Sequence, residues 1–136
     1  MAEQRLHHVG FVVPRVEAVF EGWRRTLQAV SVSDIFHDPL QGARVVFLHL
    51  PPDGTSSVEL VEPADEGSDL GPFIRKGGGL HHLCFEVDDL DAQLRQMRQA
   101  HAVLVRSPQP AIAFEGRRIA WMFTREKLLV EYLERA

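Results

Sequence analysis

Apolar positions along this chain recur with two periods, and the two patterns follow one another in the same order twice. "LHHVGFVV", from Leu6, reads as a strand, since its apolar residues alternate and no helix signal interrupts them. Val16, Val19, Phe20, Trp23 and Leu27 then fall three or four apart, the spacing of one helix face. Seventy-four positions on, "LHHLCFEV", from Leu80, repeats the strand, and Leu90, Leu94 and Met97 repeat the helix face behind the N-cap candidates Asp88 and Asp89. The later strands repeat as well: "ARVVFL" (43–48) aligns with "RRIAWM" (117–122), and "SVELVE" (57–62) with "LVEYLE" (129–134). Each half predicts β-α-β-β-β, its second strand weakly written near 31–37 and 103–105. The expected class is α+β, with one domain over 1–136 made of module one at 5–63, a linker at 64–78 and module two at 79–136. "SDLGPFIRK" predicts a short helix in the linker, "GGG" (77–79) a flexible joint, and "SPQPAIAFEG" a proline-bearing loop.

Strand alternation divides the doubled histidines. His7, Val9, Phe11 and Val13 share one face with apolar neighbours, as do His81, Leu83, Phe85 and Val87, so these faces should meet the helices. His8 and His82 then point away from the helix layer. Val58 and Leu60 flank Glu59, and Val130 and Tyr132 flank Glu131, so both glutamates also project away from the helices. If the two sheets pair, two imidazoles and two carboxylates can line one cleft, a mixed nitrogen and oxygen donor set suited to a divalent first-row ion. Spacing alone leaves a metal site and a structural arrangement both open.

Composition narrows the setting. The 136 residues are 45% hydrophobic and 25% charged, which suits a globular domain. No apolar run approaches the ~20 residues of a membrane helix. "MAEQRL" lacks the basic and apolar order of a signal peptide. A single cysteine, Cys84, excludes an intrachain disulfide, and with it cytoplasmic residence is expected. The net charge of −4 and the lack of a basic stripe argue against nucleic acid as a partner.

The motifs "HHVGFVV", "VELVEP", "GGGLHHLCFEVDDLDA" and "LLVEYLE" together resemble the vicinal oxygen chelate superfamily, which includes glyoxalases, bleomycin resistance proteins and dioxygenases. Within it they look most like the methylmalonyl-CoA epimerases. The resemblance implies two βαβββ modules forming an incomplete barrel around a metal cleft. It implies His8, Glu59, His82 and Glu131 as ligands of a divalent ion (cobalt, nickel, zinc, manganese or magnesium). It also implies a homodimer and a small-molecule substrate, an acyl-CoA or another carboxylate. The expected activity is epimerisation by α-proton abstraction with enolate stabilisation, Glu131 being the base. A glyoxalase I-like lyase and a non-catalytic binding member are the alternatives. The epimerases' second acid, in the third strand of module one, aligns with Val45, and 43–50 contain no acid. His49 is the nearest substitute acid/base group. Arg44, Arg117 and Arg118 are candidates for holding an anionic substrate.

Overall fold

A computed structural model describes residues 3–65 and 67–136. The chain divides into two compact units, one of His8–His81 and the other of the segment ending at His7 together with His82–Ala136. Both divisions therefore fall between the two members of a histidine pair.

In the His8–His81 unit, β1 (Arg5–Val12) leads to α1 (Val16–Leu27), and β2 (Ser31–Val32), β3 (Phe36–Asp38), β4 (Ala43–His49) and β5 (Ser57–Pro63) follow. The sheet order is β2-β4-β5-β1, with β3 also on β4. β1 runs parallel to β5 and β4 antiparallel to it. The weak second strand is two short pieces because Ser33 breaks it: its hydroxyl accepts the Phe47 N–H at 2.8 Å and donates to the Asp34 carbonyl at 2.9 Å. The linker helix is α2 (Gly71–Arg75). Gly77, Gly78 and Gly79 all take positive φ, and a Cβ on Gly78 would lie 2.5 Å from the Val12 carbonyl oxygen. The expected flexible joint is thus a close backbone approach that requires glycine.

In the other unit, β6 (Gly79–Val87) leads to α3 (Leu90–Gln99), and β7 (Val103–Pro110), β8 (Arg118–Phe123) and β9 (Leu129–Glu134) follow. The order is β6-β9-β8-β7, with β6 parallel to β9 and the remaining pairs antiparallel. β7 runs on to Pro110, through the first four residues of the stretch expected to be a loop. Pro108 and Pro110 are tolerated because β7 is an edge strand, whose ladder against β8 shifts register twice. Neither unit's sheet closes on itself, and no helix among the described residues is long and apolar enough to cross a membrane.

Both cores lie between helix and sheet. Val16, Val46, Leu48, Val58 and Leu60 form one, with Phe11 and Trp23 packed against it. Leu90, Leu94, Ala120, Met122, Val130 and Tyr132 form the other, with Phe85 and Met97 against it. Each fully buried leucine contributes about 2 kcal/mol of transfer free energy.

The duplication extends to polar contacts at the helix starts. The Val16 N–H donates to Glu62 at 2.7 Å, and Arg44 holds both Glu62 and Glu17. Seventy-four positions on, the Leu90 N–H donates to Glu134 at 3.0 Å, and Arg118 holds both Glu134 and Asp91. A glutamate at the end of the closing strand thus accepts a free donor at the helix N-terminus, and an arginine neutralises it. Asp89 additionally caps α3 through the Ala92 N–H at 3.0 Å.

Candidate functional site

The sheet face opposite α1 carries the first cluster. Register puts Glu59 beside Gly10 of β1 and Phe47 of β4, so His8, Glu59 and Phe47 share that face. His8 Nε2 lies 3.4 Å from Glu59 Oε1, and both residues are only 1% exposed. The Phe47 ring meets the imidazole edge-on at 5.2 Å. The other Glu59 oxygen accepts the Gln41 amide N–H at 3.2 Å, and the same amide donates to Asp38 at 3.0 Å.

The second unit has a matching cluster on the face opposite α3. Glu131 stands beside Cys84 of β6 and Trp121 of β8. His82 Nε2 lies 3.7 Å from Glu131 Oε1, both residues being 2% exposed. The Trp121 indole meets the His82 imidazole edge-on at 4.8 Å. Phe47 and Trp121 are themselves 74 positions apart, so each buried histidine has an aromatic wall from the equivalent strand. A carboxylate this deeply buried is costly unless it is compensated. Cis donors on an ion bound at about 2.1 Å lie roughly 3.0–3.5 Å apart, so each histidine–glutamate pair has the chemistry and approximate spacing of two ligands.

The remaining candidates are dispersed. His49, on the Phe47 face of β4 by alternation, has its Nδ1 2.8 Å from Ser57 Oγ and is half-buried. Val45 is wholly buried on the same face beside Val61, so no acid occupies that position. Arg44 and Arg118 fall on the helix sides of their sheets, where carboxylates hold them, and are not brought to the histidine–glutamate faces. Arg117 binds Glu86 and the Glu134 carbonyl. The first histidine of each pair packs edge-on against an aromatic, His7 on Phe114 and His81 on Phe73. Sequence reasoning missed Asp38, Gln41 and Trp121. Only the equivalence of Phe47 and Trp121 carried a signal, in the repeat.

These features define a class. The family model of the glyoxalase/bleomycin resistance protein/dioxygenase superfamily matches residues 7–121, and the chain belongs to that superfamily. Within it the chain is similar to the ethylmalonyl-CoA/methylmalonyl-CoA epimerase of Cereibacter sphaeroides, at 34% identity over 90% of each chain. The crystal structure of methylmalonyl-CoA epimerase from Mycobacterium tuberculosis matches 96% of this chain and 87% of its own at a TM-score of 0.78 and 28% identity. A Streptomyces coelicolor methylmalonyl-CoA epimerase variant in complex with 2-nitronate-propionyl-CoA matches 97% of each chain at a TM-score of 0.75 and 27% identity.

Proposed function

We propose that this protein is a divalent-metal-dependent epimerase that removes and returns the α-proton of an acyl-CoA, with methylmalonyl-CoA as the first substrate to test. The observation that carries the reading is the duplicated, fully buried histidine–glutamate pair in a chain similar to such epimerases along nearly its whole length. His8, Glu59, His82 and Glu131 would be the ligands of such an ion. A divalent ion there supplies positive charge where negative charge develops on the substrate's oxygen as the α-proton leaves.

The chain's own residues handle the proton. Glu131 takes it at a carboxylate oxygen. His49 serves the opposite face of the α-carbon, in place of the acid absent at Val45. Ser57 Oγ, 2.8 Å from Nδ1, orients the ring. With Ser57 accepting from the Nδ1–H, Nε2 is the base; the imidazolium formed when Nε2 takes the proton is the acid that returns it in the reverse direction. Phe47 and Trp121 wall the histidines and keep water from them.

The test is incubation with methylmalonyl-CoA in D2O, with each of the candidate metals in turn. α-Deuterium uptake and inversion at C2 are followed by NMR, and a chelated sample serves as blank. Metal-dependent exchange with inversion is expected. Exchange no faster than the blank with every ion would sink the epimerase reading and favour a binding member of the superfamily.

A further inference from the structure

Glu59 is supported by a hydrogen-bonded pair of side chains beyond His8. Glu59 Oε2 accepts the Gln41 amide at 3.2 Å, and Asp38 Oδ2 accepts the same amide nitrogen at 3.0 Å. Two carboxylates converging on one NH2 group fix its orientation, since the amide oxygen in that place would face two acceptors. The Asp38 carboxylate is itself fixed, 5% exposed, with Oδ1 accepting the Leu40 N–H at 3.0 Å. The arrangement leaves Gln41 Oε1 buried with no donor among the described residues. A buried unsatisfied acceptor is destabilising, a cost that a leucine filling the same space would avoid.

The equivalent positions differ in the second half. Seventy-four positions beyond Asp38 and Gln41 stand Ile112 and Glu115, both exposed. Asp38 and Gln41 are therefore a departure from the repeat.

We infer that Gln41, held in place by Asp38, is a positioning residue that locks Glu59 as a fixed metal ligand. This rests on the metal site proposed above. A carboxylate held by a directed N–H keeps its orientation at lower entropic cost when an ion binds, and loss of such outer partners typically weakens metal affinity about 10–100-fold.

The test is a titration of the full-length, metal-free protein with cobalt(II), read by calorimetry and by visible d–d absorption, with circular dichroism and thermal melting to check folding. Gln41→Leu keeps the volume and removes the hydrogen bonds. Asp38→Asn acts without touching Glu59. Its oxygen stays with the Leu40 N–H, so its NH2 faces the Gln41 NH2 and drives that amide to turn over, presenting oxygen to Glu59. Both variants are expected to bind cobalt about 10–100-fold more weakly and with an altered d–d band. His8→Ala, as the ligand control, should lose binding outright. Affinity and spectrum of either folded variant unchanged from the parent, while His8→Ala loses binding, would overturn the positioning role and leave the metal site standing. Failure of the parent to bind cobalt, or full binding by His8→Ala, would overturn both.

Discussion

Glu86 offers a quantitative test of what anchors the strand that carries His82. Its side chain is 13% exposed and meets three guanidiniums, from Arg5 at 3.1 Å, from Arg117 and from Arg135. Burial pushes its carboxyl upward, but the hydrogen bonds and charge of Arg117 and Arg5 outweigh that and hold it at about 2, against an ordinary 4.5. The folded value lies below the unfolded one. Stability from Glu86 is therefore fully present above pH 4.5 and drains away as pH falls toward 2. The difference of about 2.5 pH units, at about 1.4 kcal/mol each, is about 3 kcal/mol at neutral pH. The same linkage leaves less than about 1 kcal/mol at pH 2.5. Glu86→Gln removes the charge, keeps the shape and leaves three arginines facing one another. Urea unfolding of both proteins at pH 7 and pH 2.5 should give a gap that closes several-fold on acidification. Added salt should narrow the gap at pH 7, because the arginines are partly in solvent. A gap that is constant with pH, or wider in acid, would refute the account of Glu86 as the ionised centre of this cluster.

Two further outcomes are expected. Replacing the α3 cap by Asp89→Ala should cost about 1 kcal/mol in the same unfolding assay. The matching Arg15→Ala at α1, whose side chain makes no cap bond, should cost far less, and equal costs would contradict the cap assignment. In His49→Gln, the epimer whose proton faces Glu131 should still exchange in D2O, while inversion falls by 10²-fold or more. Inversion at the parent rate would remove His49 from the mechanism.

The period-two pattern made the sheet faces legible. Val58 and Leu60 pack into the helix-side core around Glu59, and Val130 and Tyr132 do so around Glu131. The repeat made the module order legible, since each half had to bury the same surfaces. Contacts set by tertiary partners were not legible. Arg44 and Arg118 read as cations for a substrate because nothing local announces that Glu62 and Glu134 await them. The far part of β7, from Ser107 to Pro110, was hidden because Pro108 and Pro110 signal a loop unless the strand is known to be at an edge. Asp38 and Gln41 follow no period at all. Asp38 ends β3 and Gln41 lies in the turn that follows, and only the fold carries them to Glu59.

That last blindness bears on mechanism. A duplicated site begins with two interchangeable carboxylates, and symmetry gives no reason for either to be the base. Proton transfer needs one that can reorient, and metal retention needs one that does not. The sequence repeat treats Glu59 and Glu131 alike, so the distinction can come only from what departs from the repeat. The Asp38–Gln41 pair is such a departure at one of them, on the side of rigidity. Ile112 and Glu115, at the equivalent positions in the other half, are exposed. The cobalt titration of Gln41→Leu and Asp38→Asn measures how much that departure contributes to holding Glu59 as a ligand.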